Sequence, residues 1–381
     1  MTRVLVASDK FKGSLTALEV GEAVRSGLQH VCPAVTVDIV PVADGGDGTL
    51  TASITAGYRF VPVTAAGPTG EPVETGYTRR NGSAIIEMAD ISGLGRLPGG
   101  VLAPLTAGSR GTGQLIAAAL DAGCDQITLG VGGSACTDGG AGMLAALGAR
   151  LLDADNNEIV DGSAALAELV TVDLGALHPG LATAHVVVAS DVDNPLTGPR
   201  GAAAVYGPQK GASAGQVRQL DSALEHWAAT VAAATGQDRS SDPGAGAAGG
   251  VGFAALAVLG ADLRAGVDLV LDLVGFEERL ADATLVITGE GSLDEQTLNG
   301  KAPVGVAHAA RATGIPTVAV CGRRRISDHQ LRAAGIDAVY SLLELEPDLS
   351  RCIQNAGPLL EVLAQRIATE YLIPQRRDGA P

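Results

Sequence analysis

Residues 3–42 read RVLVASDKFKGSLTALEVGEAVRSGLQHVCPAVTVDIVPV. The first apolar run, residues 3–7, is short, as a buried strand is, and closes on the polar pair Ser8 and Asp9. Apolar positions then recur at helical spacing over residues 16–31, residues 34–42 return to a strand pattern, and residues 49–56 are helical again. This strand, helix, strand, helix alternation specifies a parallel sheet, because parallel neighbours are joined by crossovers long enough to hold a helix.

The other end of the chain repeats the style. Residues 283–288 read as a strand, 303–313 as a helix, 315–321 as a strand, 329–334 as a helix and 338–341 as a short strand, with a last helix over 355–371. The middle differs. Residues 61–82 are rich in Pro, Gly, Thr and charge, the pattern of antiparallel strands turning at GPTGEP. Strands follow at 84–88, 126–131 and 185–189, helices at 112–122 and 142–147, and a long helix at 214–235 that the polar stretch GQDRSSDP breaks off. The expected architecture is therefore α/β with two domains: residues 1–60 and 281–381 form a discontinuous parallel-sheet domain, and residues 61–280 form an inserted α/β domain.

Composition narrows the function classes. With 381 residues and 46% hydrophobic content, the chain can bury more than one core. A formal net charge of −16 repels polyanions, and the longest basic cluster, Arg323 to Arg325, is too short to bind nucleic acid or an anionic membrane. The short apolar run after Arg3 is neither a signal-peptide core nor a membrane span, so a cytoplasmic location is expected. Five scattered cysteines without CxxC spacing read as buried small hydrophobes. The 52 glycines, interrupted by apolar strands, indicate many tight strand-to-helix turns.

The 26 basic residues include only four lysines, Lys10, Lys12, Lys210 and Lys301, all in glycine-containing stretches (DKFKGS, PQKGA, NGKAP). A compact ammonium beside flexible backbone suits phosphate. Three acidic clusters come after expected strands: Asp44 and Asp47 in PVADGGDGT, Asp191 and Asp193 in VVVASDVDNPL, and Glu290 and Asp294 in VITGEGSLDEQT. Open α/β sheets place their ligand crevices at strand ends, and carboxylates there hold Mg²⁺ or accept the proton of an attacking hydroxyl. Two glycine-rich loops, GVGGSACTDGGAG with Ser134 and TAGSRGTG with Ser109 and Arg110, are expected to link a strand to a helix and to offer N–H groups to a carboxylate or phosphate.

The stretch GAGAAGGVG from Gly244 contains GxGxxG but follows DRSSDP rather than an apolar strand, so it reads not as a dinucleotide site but as a segment that lets a helix beginning near Gly250 pack close to a neighbour or approach a ligand. GxxxxGK[ST] is absent, since Lys301 is followed by alanine, and so is the protein-kinase motif set.

Taken together, PVADGGDGT, IEMADISGL, SRGTG, GVGGSACTDGGAGM, SDVDNPLTG, YGPQKGAS, GAGAAGGVG, VITGEGSLDEQT and NGKAPVGVA make the chain resemble the bacterial glycerate kinases that form 2-phosphoglycerate, from Val4 to about Tyr340. The resemblance implies a discontinuous Rossmann-like or flavodoxin-like domain carrying an inserted domain, with the active site in the cleft. It implies ATP and Mg²⁺ acting on D-glycerate in glyoxylate and organic-acid breakdown; a homodimer is compatible with it. On this reading Asp191 is the base or chief metal ligand, joined by Asp44 and Glu290, and Lys12 and Lys301 act in catalysis by contacting phosphates. Lys10, Lys210, Gly289, Glu290 and Asp294 line the nucleotide side, while Ser109, Arg110 and Ser134 bind the glycerate carboxylate. Two positions depart from the family: Lys10 stands where many members have serine, and Ser292 where many have arginine after GEG.

Overall fold

The computed structural model describes residues 2–373. The chain divides into two compact units: the residues up to Asp44 together with those from Val267 onward, and Gly45–Gly266. Both junctions lie earlier than the sequence pattern placed them. The helix Thr49–Thr55 packs on strands of the second unit, with Ser53 and Thr78 hydroxyls 2.7 Å apart. Phe276 and Leu280 of the helix Phe276–Leu280, by contrast, are buried in the first unit. A junction helix is assigned by what it buries, and periodicity along the chain does not carry that information.

The first unit holds five parallel strands in the order Ala338–Ser341, Thr317–Arg324, Leu285–Leu293, Arg3–Ser8, Thr36–Ile39. Numbered along the chain this is the flavodoxin-like order 2-1-3-4-5, whose direction of winding reverses between Arg3–Ser8 and Leu285–Leu293. These two strands run in register from Val4↔Leu285 to Ser8↔Gly289. The helix Ala17–Val31 starts at a capping box between Thr16 and Glu19 and buries Val20, Val24 and Leu28 at helical spacing. The helix Ala356–Ile367 packs against it with Leu360, Leu363 and Ala364 buried, each leucine contributing about 1.5–3 kcal/mol.

The second unit is built on a six-stranded mixed sheet. Asp262–Arg264, His185–Ala189, Gln126–Gly130 and Ser83–Glu87 run parallel; Pro72–Arg80 and Arg59–Ala66 complete it antiparallel. The hairpin turns at GPTGEP, as expected, with Gly67 N–H donating to the Glu71 carbonyl at 2.6 Å. A separate antiparallel pair, Arg150–Leu152 with Thr171–Asp173, has no period-2 signal because each strand has three residues. The long helix Ala214–Thr235 begins at a Ser213/Gln216 capping box and ends at left-handed Gly236. It carries the buried Trp227, which meets Phe253 edge-on at 6.4 Å and 73°.

Candidate active-site elements

In the first unit, the point where winding reverses is closed by glycine. Asp9 N–H and the Ser8 hydroxyl both donate to the Gly289 carbonyl, at 2.9 and 3.0 Å. A Cβ on Gly289 would lie 2.4 Å from the Val320 carbonyl oxygen, so no other residue fits between these strands. The strand Leu285–Leu293 runs on through Glu290, which therefore belongs to the strand's carboxyl end and not, as expected, to the loop after it. Glu290 is buried. The Thr297 hydroxyl donates to its Oε1, and Lys301 Nζ lies 3.8 Å from its Oε2. Burial pushes the Glu290 carboxyl up to about 7, against the opposing effects of Thr297 and Lys301.

Thr297 is held in turn by the Asp294 N–H at 3.0 Å, and Asp294 Oδ1 accepts from Gln296 N–H. Lys10 Nζ is 3.8 Å from Asp9, and the Lys12 backbone passes against Gly291. The first unit thus gathers Lys10, Lys12, Gly289, Glu290, Asp294 and Lys301 near the carboxyl ends of two adjacent strands. Ser292 sits in register with Arg323 of the neighbouring strand, so an arginine stands next to the position where the resemblance leads one to expect one. The Ser292 hydroxyl and Arg323 Nε are both buried without hydrogen-bond partners among the described residues.

In the second unit, Asp138 organises the two glycine-rich loops. Its Oδ2 accepts from the Ser109 N–H and hydroxyl, both at 2.8 Å, and from Gly142 N–H at 3.2 Å; its Oδ1 accepts from Gly140 N–H at 3.2 Å. The Ser109 hydroxyl in turn accepts from Met143 N–H at 2.9 Å, and both Ser109 and Asp138 are fully buried. Ser109, expected on the substrate carboxylate, is engaged as donor and acceptor within the protein. The loop bearing it follows the turns Leu94–Arg96 and Pro98–Gly100, not a strand as expected.

Arg110 opens the helix Arg110–Asp121, and its Nε and Nη2 donate to the two oxygens of Asp161 at 2.5 and 2.9 Å. The pair borders a cavity of about 170 Å³ lined also by Gly142, Arg150, Glu158 and Gly162. Lys210, read from sequence as a phosphate contact, is buried instead. Its Nζ donates to the Ser134 hydroxyl at 3.0 Å and to the Cys136 carbonyl, inside the glycine-rich loop. Burial lowers its pKa, with Cys136 and Asp138 opposing.

Trp227 Nε1 donates to the Gly139 carbonyl at 2.9 Å. Gly139 has φ 65° and would place a Cβ 2.4 Å from the indole, so the loop accepts only glycine there. The GxGxxG stretch packs on this same loop, with Gly139 N–H donating to the Gly249 carbonyl at 2.9 Å, the close packing that was one of its two expected uses.

Asp191 follows the strand His185–Ala189, is exposed, and accepts from Gly266 N–H at 2.7 Å through Oδ1. Asp193 pairs with Arg200 in solvent. Asp44 and Asp47, one cluster in sequence, fall in different units. The structure adds a residue that sequence did not single out: Glu87, buried, accepts from Gly48 and Leu50 N–H at 3.2 and 3.0 Å. Burial pushes it up to about 7. Asp138 lay inside a quoted motif, three residues before a helix start; Asp161 carried no sequence signal at all.

Among the described residues no three His, Cys, Asp or Glu side chains gather as a cation cage. No helix among the described residues is long and apolar enough to cross a membrane.

Residues 4–372 match the model of the glycerate kinase family. The chain is 44% identical over 369 residues to a glycerate kinase of Bacillus subtilis, covering 96% of this chain and 97% of that protein. It is 42% identical over 382 residues to the glycerate 2-kinase of Escherichia coli, covering 99% and 100%. A solved structure, a glycerate kinase 2 of Salmonella typhimurium LT2, superposes with TM-score 0.83 at 42% identity, covering 97% of this chain and 98% of that one.

Proposed function

This chain belongs to the glycerate kinase family and is a kinase, and from that premise we propose that it phosphorylates the C2 hydroxyl of D-glycerate with MgATP, giving 2-phosphoglycerate and ADP. The observation that carries the regiochemistry is the match to a protein named glycerate 2-kinase over 99% of this chain and all of that one. The location proposed is the cytoplasm and the role organic-acid breakdown by way of glyoxylate.

Phosphoryl transfer asks a protein for positioning and charge neutralisation more than for covalent chemistry. Magnesium supplies part of that neutralisation when bound. In the first unit, Lys12 and Lys301 are assigned to the phosphates, with Lys10, Gly289 and Asp294 beside them. Asp44 and Glu290 are assigned as metal or water partners; Glu290, held by Thr297 and facing Lys301, is already oriented for this. In the second unit, Asp191 orients the substrate hydroxyl and takes its proton, and Gly266 N–H fixes one of its oxygens. Arg110 and Ser134 bind the carboxylate. Ser109 and Lys210 serve the same loops from inside, as braces.

Purified protein with ATP, Mg²⁺ and D-glycerate tests the reaction. Enolase alone should convert the product to phosphoenolpyruvate, and chelation of the metal should stop turnover. A strict requirement for phosphoglycerate mutase would show that the primary hydroxyl had reacted.

A further inference from the structure

We propose that Asp161 is an internal competitor for the substrate's carboxylate, holding the Arg110 fork in the geometry a bound carboxylate would take and releasing it as glycerate enters. The inference rests on the assignment of Arg110 to glycerate. Its structural basis lies wholly within the second unit.

The Nε and Nη2 groups of Arg110 each donate to a separate oxygen of Asp161. This two-donor, two-acceptor match is what arginine offers any carboxylate, and one edge of the guanidinium serves one carboxylate at a time. The two side chains are 37% and 34% exposed, so each partner can be re-solvated as the other is replaced. Exposed ion pairs contribute about 1 kcal/mol or less, and this one, with its two-donor geometry, stands at the upper end of that scale, still within reach of exchange for a second carboxylate.

The space beside the pair fits the exchange. The cavity of about 170 Å³ opens beside the pair and leaves room for a small carboxylate next to the guanidinium. Its charged lining comprises Arg110, Arg150, Glu158 and Asp161, two of each sign, with Arg150 Nε 3.4 Å from Glu158. A monoanion entering would leave one negative charge in excess; Asp161 turning out to water restores the balance. Asp161 stands between the strand Arg150–Leu152 and the turn Ser163–Glu168, outside any regular element, so its side chain can turn without breaking a sheet or a helix.

The test measures KM for D-glycerate at saturating MgATP, and Kd for D-glycerate alone by calorimetry, in wild type, Asp161→Asn, Asp161→Ala and Arg110→Ala. The expected result is a fall in KM and Kd of about 2- to 5-fold in the Asp161 variants, with KM moving more than kcat, the scale of one half-exposed ion pair. Arg110→Ala should raise both. If Arg110→Ala raises KM while either folded Asp161 variant leaves it unchanged or higher, Asp161 is a support for Arg110 and the competitor role is wrong. If Arg110→Ala leaves glycerate binding untouched, or the wild type does not phosphorylate glycerate, the underlying site assignment fails and the competitor role fails with it.

Discussion

Asp138 and Ser109 are joined twice, one carboxylate oxygen accepting both the backbone N–H and the hydroxyl of the serine at 2.8 Å. Gly140 and Gly142 N–H groups complete the shell, so a single buried side chain sets the spacing between the loop that carries Arg110 and the loop that carries Ser134. Asp138→Ala leaves these donors buried without an acceptor and should destabilise the protein by roughly 3 kcal/mol in denaturant unfolding. A loss below about 1 kcal/mol would mean that water replaces the carboxylate and that the shell is no brace.

Glu87 gives the protein a pH-dependent stability term. Burial raises its carboxyl from the ordinary 4.5 to about 7. An acid whose folded pKa is raised favours folding fully while both states are protonated, below about 4.5, and loses that contribution as pH rises through about 7. Glu87→Gln removes the titration while keeping an amide oxygen for the Gly48 and Leu50 N–H groups. The variant should gain on wild type by up to roughly 3 kcal/mol between pH 5 and pH 8. Thermal unfolding across that range checks it, and parallel curves for the two proteins would refute it.

Lys210 separates bracing from phosphate binding. Lys210→Met leaves the Ser134 hydroxyl and Cys136 carbonyl without their donor, and stability should fall by about 1–2 kcal/mol. KM for ATP should stay within about twofold of wild type. A tenfold rise in that KM at unchanged stability would instead return Lys210 to the phosphates.

Asp191→Asn keeps an oxygen for Gly266 N–H, so the fold and its melting temperature should hold. Its kcat should drop by roughly 10²-fold or more, the scale for a positioned acid or base. Near wild-type turnover in the folded variant would remove Asp191 from the chemistry.

Local pattern alone specified much of this molecule. The parallel alternation at both chain ends, the hairpin at GPTGEP and the helix Ala214–Thr235 with both of its ends were legible, because a 3.6- or 2-residue period states which face an element buries. The ordered motifs from PVADGGDGT to NGKAPVGVA are specific enough to identify the family. Tertiary structure alone decided the partners. The 2-1-3-4-5 strand order, the three-residue strands and the ends of the two units depend on which buried face meets which. The site residues divide the same way: Ser109 meets Asp138 across 29 positions, Arg110 meets Asp161 across 51, and Lys210 meets Ser134 across 76. Residue type announces that a serine, an arginine or a lysine can bind an anion. Only the folded chain shows which of them it has already paired with its own groups, since burial and a fixed partner cost or return free energy through contacts that local spacing does not encode.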